Sequence, residues 1–223
     1  TSHAQDLGAV AVAAWGTLEA GGSGTARVRT GVADLDAALR GLGDEDLVVL
    51  AGRPSSGKTS LAMQVALETA ATGQPVVFFS LESARQDLGA KMLAWASGIE
   101  TWRIRTGTIS REGEDWLRLA HAVERLRTLG PLALDDSPRL TPGEIAARAR
   151  GAGIGAPALV VVDYLQLLRC GYLPRSREEE VAEVSRGLKA TAKTLGCVVL
   201  ACAQLSRRVE QRLHGSPRLS DLR

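Results

Sequence analysis

The most informative part of this sequence is a glycine-rich stretch that runs Gly52-Arg53-Pro54-Ser55-Ser56-Gly57-Lys58-Thr59. It fits the pattern G-x-x-x-x-G-K-[ST], in which glycines let the backbone curl so that successive N–H groups face phosphate oxygens. An apolar run typical of a buried strand precedes it at residues 46–51, and apolar residues at helical spacing follow from Lys58. A strand, a glycine loop and a helix N-terminus together favour a bound phosphate. The alternative is a glycine-rich turn without a ligand, since the chain has 24 glycines.

The loop predicts a site for ATP and Mg²⁺. Lys58 is placed to reach the β- and γ-phosphates, and the hydroxyl of Thr59 is placed to bind Mg²⁺, a hard cation that prefers oxygen ligands. The predicted nucleotide-binding residues are the whole loop and the residue after it: Gly52, Arg53, Pro54, Ser55, Ser56, Gly57, Lys58, Thr59 and Ser60.

After the loop, apolar runs alternate with stretches of helical periodicity. They predict strands at residues 75–81, 132–135, 158–163 and 197–203, and helices at 84–97, within 99–129, at 141–150 and from Arg177 to about Gly196. Thr141 with Glu144 three residues later is the signature of a capping box. Because hairpin turn signals are lacking, the pattern indicates an α/β fold with a mainly parallel, twisted sheet and helices on both faces.

Three polar residues stand at the ends of predicted strands: Glu82, Asp163 and Gln204. Ligands bind outside the carboxyl ends of parallel strands, so we expect these residues at the edge that carries the phosphate loop. Asp163 is placed to hold Mg²⁺. Glu82 is the candidate for orienting or deprotonating an attacking water, and Gln204 for hydrogen-bonding the γ-phosphate. The alternative for each is a residue that caps a helix or faces solvent.

Arginines gather in two segments that follow the strands of Asp163 and Gln204. The first segment is 169–177, and the second is 207–223, where five arginines stand against two acidic residues in a chain of formal charge +2. Basic loops beside a nucleotide site suit contact with a nucleic-acid backbone, and a solvated surface is the alternative. The candidate DNA-binding residues are Arg169, Arg175, Arg177, Arg207, Arg212 and Arg223.

Composition argues against several other classes of protein. Cys170, Cys197 and Cys202 are odd in number and lack C-x-x-C spacing, which disfavours a disulfide framework or a zinc site and favours a reducing, cytoplasmic location. No apolar run approaches the roughly 18 residues of a membrane span, and a signal peptide is not evident, so we expect no membrane partner. The chain starts at Thr1 without Met, which is typical of a processed or cloned fragment.

The chain divides near residue 24. Apolar residues at helical spacing over 6–20, followed by Gly21-Gly22-Ser23-Gly24, predict a linker helix and a flexible linker within residues 1–24. Residues 25–223 suit one ATPase domain. The apolar face of the linker helix needs a cover, either a neighbouring subunit or its own domain.

Five motifs follow one another along the chain: Gly52 to Thr59, Phe79-Ser80-Leu81-Glu82, Val162-Asp163-Tyr164-Leu165-Gln166-Leu167-Leu168, Gln204-Leu205-Ser206-Arg207 and Leu219-Ser220-Asp221-Leu222-Arg223. With this order, the region from about Thr30 to Arg223 resembles the motor domain of the replicative DNA helicases of the DnaB type. The resemblance implies a RecA-like P-loop fold, a homo-oligomer in the form of a hexameric ring, ATP hydrolysis between subunits and 5′ to 3′ movement along single-stranded DNA.

The resemblance also implies a role for individual residues. Lys58 and Thr59 would meet phosphate and Mg²⁺, Asp163 would hold Mg²⁺, Glu82 would be the catalytic carboxylate and Gln204 the γ-phosphate sensor. Arg223 would lie in a DNA-contacting loop, and residues 6–20 would pack on the adjacent subunit.

Some features depart from that family's pattern. Ser56, Ser83 and Ala203 stand where other residues are common, and they adjoin site residues without replacing them. The resemblance implies further strands and an arginine finger supplied in trans beyond Arg223, and an N-terminal domain that meets primase, none of which we expect within residues 1–223. We therefore expect residues 1–223 to bind nucleotide but hydrolyse it poorly, and we expect primase and a loader as partners of the full-length protein only.

Two other functions are compatible with a phosphate loop. One is a RecA-like recombination, repair or signalling ATPase that does not translocate, and the run from Asp163 to Gln166 favours the helicase over it. The other is a nucleotide-gated assembly or loader protein in which binding suffices, and intact Lys58, Thr59, Glu82 and Asp163 argue against that function.

Overall fold

The structure, a computed structural model, describes residues 6–8, 11–12, 15, 28–172 and 174–205. Its helices and strands follow in chain order as α1 (Ala33–Leu39), β1 (Leu47–Gly52), α2 (Lys58–Ala71), β2 (Val76–Ser80), α3 (Arg85–Ser97), α4 (Thr101–Thr106), α5 (Glu114–Arg127), β3 (Leu132–Asp135), α6 (Pro142–Arg150), β4 (Leu159–Asp163), a 3₁₀ turn (Leu165–Leu167), α7 (Arg177–Leu195) and β5 (Val198–Gln204). All the strands and long helices predicted between residues 46 and 204 are present.

The five strands form one sheet in the order β1-β5-β4-β2-β3, and every pairing is parallel. Alternate residues of β4 enter two different cores, because successive side chains point to opposite faces of a sheet. Leu159 and Val161 pack on the side of α2, whereas Val160 and Val162 pack on the side of α6 and α7. This covering of both faces explains why all five residues of β4 are buried. The predicted fold class is therefore confirmed.

Strand β1 differs from its prediction as a buried strand. It pairs with β5 alone, and within the described residues it lies at an edge of the sheet. None of its residues is fully buried, and the side chain of Val49 is 38% exposed. The apolar run predicted at residues 46–51 identifies a strand correctly, but an apolar run does not reveal how many neighbouring strands it has.

Helix α1 was not predicted from the sequence. The carboxylate of Asp36 accepts hydrogen bonds from the backbone N–H of Thr30 at 2.7 Å, from the Thr30 hydroxyl at 2.8 Å and from the Gly31 N–H at 3.2 Å. Burial raises the pKa of Asp36, but these hydrogen bonds outweigh it and leave the pKa below its ordinary value. A single side chain in α1 thus fixes the segment by which the chain enters the domain.

The predicted capping box at the start of α6 is present. The Thr141 N–H donates to the Glu144 carboxylate at 2.7 Å, and the Glu144 N–H donates to the Thr141 hydroxyl at 3.3 Å. Two backbone donors that the helix itself cannot satisfy are therefore paired.

The predicted linker helix is described only in part. Leu7, Gly8, Ala11, Val12 and Trp15 are helical, and the other residues of the predicted helix after Asp6 lie outside the described ones. The glycine linker and the basic segment 207–223 also lie outside them. Within the described part of the chain, the structure contains no helix that could span a membrane.

Replacing Thr141 with alanine is expected to lower the free energy of unfolding by about 1 kcal/mol, because the N-cap hydroxyl is lost. Urea unfolding of the wild type and the variant measures the change. Thr194→Ala is the matched control: its hydroxyl bonds back to the Ala190 carbonyl at 2.7 Å within α7, and alanine is the better helix former there. An equal loss of stability in both variants would contradict the capping role.

Candidate nucleotide-binding site

The parallel register brings the predicted site residues to one edge of the sheet. Gly52 at the end of β1 is level with Gln204 at the end of β5, and Ser80 at the end of β2 is level with Asp163 at the end of β4. Two backbone hydrogen bonds continue this alignment beyond the strands, from Leu205 N–H to the Gly52 carbonyl at 3.1 Å and from Leu81 N–H to the Asp163 carbonyl at 2.8 Å.

A cleft of about 320 Å³ opens at this edge. Its lining combines the phosphate loop with all three strand-end residues: Pro54, Ser55, Gly57, Lys58, Thr59, Ser60, Glu82, Lys91, Asp163, Tyr164 and Gln204. The structure thus brings together the predicted metal and catalytic residues and six of the nine predicted nucleotide-binding residues, whereas Gly52, Arg53 and Ser56 are not among the residues that line the cleft. It places Gln204 as the last residue of β5 rather than after that strand.

Two glycines give the phosphate loop its shape. A Cβ at Gly52 would lie 2.5 Å from the Ser56 hydroxyl oxygen and 3.3 Å from Cγ of Lys58, so this position needs a residue without a side chain. Gly57 has a φ of +89°, in the left-handed region that glycine tolerates best, and it is the N-cap of α2. The loop therefore ends on a helix N-terminus, where unpaired N–H groups and the helix dipole favour an anion.

Lys58 is folded onto its own loop. Its ammonium donates a hydrogen bond to the Arg53 carbonyl at 2.7 Å. That contact keeps the positive charge of Lys58 beside the N-terminus of α2. The ammonium group and the positive end of the helix dipole would together neutralise the charge of a phosphate group there.

Thr59 and Asp163 form the pair of oxygens predicted for Mg²⁺. The Thr59 hydroxyl donates to the Asp163 carboxylate at 2.8 Å, and Asp163 is only 2% exposed. Burial, and then the negative charge of Asp163, raise the pKa of the Cys202 thiol. An adjacent hydroxyl and carboxylate are hard oxygen donors, so this pair fits a magnesium ion that also takes phosphate oxygens and water.

Glu82 lies in the turn after β2. The Ser80 hydroxyl donates to the Ser83 carbonyl at 2.7 Å and so closes the turn around Glu82, whose side chain is exposed to solvent at the cleft. Burial raises the pKa of the neighbouring Tyr164, and the negative charges of Glu82 and Asp163 raise it further. The cleft therefore carries two carboxylates together with the ammonium group of Lys58.

Sequence reasoning missed two residues of the cleft, Lys91 and Tyr164. Lys91 lies on α3, three residues after the buried Leu88 and so near the same helix face. Tyr164 directly follows Asp163. Two features of the sequence could have identified them. Tyr164 adjoins a predicted strand end, and Lys91 lies on the predicted helix that follows Glu82.

The predicted DNA-binding arginines fall into three situations. Arg169 and Arg175 are exposed on the segment after β4. Arg177 begins α7, and its guanidinium donates to the Gln166 carbonyl at 2.9 Å and pairs with the Glu180 carboxylate. Arg207, Arg212 and Arg223 lie outside the described residues. A DNA contact stays a prediction for each of them.

Known proteins that are similar to this chain include replicative helicases of the DnaB type. Residues 27–223 match the family described as "DnaB-like helicase C terminal domain". The chain is 40% identical over 206 residues to the replicative DNA helicase DnaB of Buchnera aphidicola subsp. Acyrthosiphon pisum, covering 90% of this chain and 44% of that protein. It is 39% identical over 202 residues to the same-named protein of Geobacillus stearothermophilus, covering 88% and 43%. The chain thus spans less than half the length of these curated relatives.

Solved structures resemble the chain as well. One is described as an ATPase domain, with a TM-score of 0.89 and 29% identity, covering 99% of this chain and 78% of that one. Another is a DnaB-like replicative helicase described with its interactions with primase, with a TM-score of 0.88 and 29% identity, covering 98% of this chain and 54% of that one.

Replacing Gly52 with alanine is expected to weaken nucleotide binding about tenfold or more, because the new methyl group displaces Ser56 and Lys58. Titration with a fluorescent ATP analogue measures the affinity. Gly143→Ala is the control, since a Cβ there meets no atom within 4 Å, and it should bind as the wild type does. Equal affinities for the wild type and Gly52→Ala would rule out the close approach as a requirement of the site.

Proposed function

The chain belongs to the DnaB-like helicase C-terminal domain family, and from that premise we propose that it is the ATP-dependent motor of a replicative DNA helicase. Its fold is RecA-like, as the sequence resemblance implied. One observation carries the proposal: the phosphate loop, the Thr59–Asp163 pair, Glu82 and Gln204 line a single cleft.

The cleft has the groups needed to bind Mg²⁺-ATP. The N–H groups at the start of α2 and the Lys58 ammonium would hold the β- and γ-phosphates, with Lys58 leaving the Arg53 carbonyl for the nucleotide. Thr59 and Asp163 would hold Mg²⁺, which when bound neutralises the charge that develops on the phosphate oxygens. The hydrogen bond between these two residues keeps both oxygens on the same side of the cleft.

Glu82 and Gln204 would act on the terminal phosphate. Glu82 faces the cleft from the turn after β2, where its carboxylate would orient and deprotonate a water molecule, a contribution typically worth about 10²–10⁴ in rate. Gln204 stands level with Gly52 across the β1–β5 pair, so its side-chain amide would hydrogen-bond the γ-phosphate and lose that partner after hydrolysis.

We also propose that the protein binds single-stranded DNA and assembles with other subunits. Single-stranded DNA would lie along the exposed Arg169 and Arg175, joined by Arg207, Arg212 and Arg223, and binding would weaken steeply with salt.

We further propose that the protein works in the cytoplasm as a homo-oligomer, a hexameric ring that hydrolyses ATP between subunits. Primase is a candidate partner of the full-length protein, because a structurally similar helicase is described with its interactions with primase, and a loader is another.

The first alternative, a RecA-like recombination, repair or signalling ATPase, shares this cleft. It is not favoured, because the family match and the named relatives are all of the replicative helicase type. The second alternative, a loader in which binding suffices, does not account for the carboxylate of Glu82 at the cleft.

The protein at its full natural length is expected to separate a duplex that carries a 5′ single-stranded tail much faster than one with a 3′ tail, in the presence of ATP and Mg²⁺. Strand displacement on the two substrates tests this directly. Glu82→Gln should still bind ATP but should lose about 10²–10⁴ in hydrolysis rate, and with it the displacement.

Glu112→Gln is the matched control for that experiment, since Glu112 is exposed and does not line the cleft. It should leave displacement unchanged. Displacement without tail preference would favour a different RecA-like ATPase, and full displacement by Glu82→Gln would remove Glu82 from its proposed role.

A further inference from the structure

The side-chain amide of Gln166 holds the backbone of Gln204 from two sides. The Gln204 N–H donates to Oε1 of Gln166 at 3.1 Å, and Nε2 of Gln166 donates to the Gln204 carbonyl at 2.9 Å. A primary amide carries both a donor and an acceptor, which is what this arrangement requires. Two residues 38 positions apart in the chain are therefore joined by a pair of hydrogen bonds beyond the last paired residues of β4 and β5.

Gln166 itself is held in place by the core. It lies in the 3₁₀ turn after β4, between Leu165 and Leu168, which are 3% and 2% exposed. These leucines belong to the cluster on the α6 and α7 side of the sheet. The backbone at Gln166 is thus anchored, while its side chain reaches across to the end of β5.

A third hydrogen bond connects Gln166 to the basic segment. The Arg177 guanidinium donates to the Gln166 carbonyl at 2.9 Å, and it also pairs with Glu180 in the first turn of α7. Arg177 lies at the far end of the segment that carries Arg169 and Arg175. One residue therefore contacts both the strand end at the cleft and the end of the segment proposed to bind DNA.

We propose that Gln166 is a positioning residue that couples the nucleotide cleft to the segment 169–177. It fixes Gln204 at the cleft through its side chain and holds Arg177 through its carbonyl, so a displacement of Gln204 is passed to the start of α7. This inference rests on the proposed function, because it requires that Gln204 responds to nucleotide and that the segment contacts DNA.

The physical basis is that the connection is short and made of directional bonds. Both groups of Gln204 that it satisfies lie at the end of a buried strand, where an unpaired backbone donor or acceptor is costly. Gln204 therefore keeps these partners when it moves, and the turn is displaced with it together with α7, because Leu165 and Leu168 pack in the same cluster as residues of α7. When the amide is removed, the pairing of β5 with β1 still keeps Gln204 level with Gly52, but the connection from Gln204 to the basic segment is lost.

Gln166→Met tests this, because methionine has a similar shape and neither hydrogen-bonding group. In the full-length protein we would measure ATP-analogue affinity, ATPase rate without DNA, and the factor by which single-stranded DNA raises that rate. We expect affinity and unstimulated rate within about twofold of wild type, and stimulation reduced about tenfold, as loss of two hydrogen bonds would give. Gln166→Glu, which keeps only the acceptor for the Gln204 N–H, should fall between the two.

Gln64→Met is the control, since Gln64 is another half-buried glutamine, and its amide donates to the Gly31 carbonyl at 3.3 Å away from the residues that line the cleft. Its stimulation should equal that of the wild type. Combining Gln166→Met with Arg177→Met should reduce stimulation no further than the more severe single variant does, because both act in one connection.

The results of these measurements distinguish a failure of the coupling role from a failure of the proposed helicase function. If the wild type is stimulated by DNA and Gln166→Met is stimulated equally, the coupling role is wrong and the helicase proposal stands. If both Gln166 variants lose nucleotide affinity together with stimulation, Gln166 is merely structural and the inference is also wrong. If the wild type shows no stimulation at all, the proposed function falls, and this inference falls with it.

Discussion

The hydrogen bond from Thr59 to Asp163 joins residues 104 positions apart, and the rest of the site depends on the constraint that makes it possible. In an all-parallel sheet every strand ends at the same edge, so β1, β5, β4 and β2 deliver their following residues to one place. The phosphate loop, Gln204, Asp163 and the turn of Glu82 meet there without any long loop to hold them. The helices on both faces serve this arrangement by burying the strands that keep it in register.

The same edge concentrates charge in a small volume. Burying a carboxylate is costly unless it is paired, and the Asp163 carboxylate accepts a hydrogen bond from the neutral hydroxyl of Thr59. A divalent cation beside Asp163 would offset this cost, as the phosphates of a nucleotide would offset the positive end of α2 and the ammonium of Lys58. The protein groups and a metal–nucleotide complex are thus complementary in charge, which is the physical reason for expecting them to bind together.

Sequence patterns predicted the strands of the central sheet because β2, β4 and β5 are continuous apolar runs, and they predicted the phosphate loop because its backbone shape demands particular residues. The patterns did not give the exposure of β1, since strand order is a property of the whole sheet. They missed Lys91, which reaches the cleft from α3, and Tyr164, which directly follows Asp163. Charge alone marked Arg177 as a candidate for DNA binding, but it did not reveal the bonds that Arg177 makes to Gln166 and Glu180.

We propose that the cleft and the basic segments form one motor. The most direct test is the ATPase rate of the protein at its full natural length, with and without single-stranded DNA, and with Lys58→Ala as the control. We expect the ATPase rate of the wild type to rise with DNA, and we expect Lys58→Ala to have no ATPase activity with or without DNA. A wild-type rate that is indifferent to DNA, in a protein shown to be hexameric, would contradict it and would favour a RecA-like ATPase with another client.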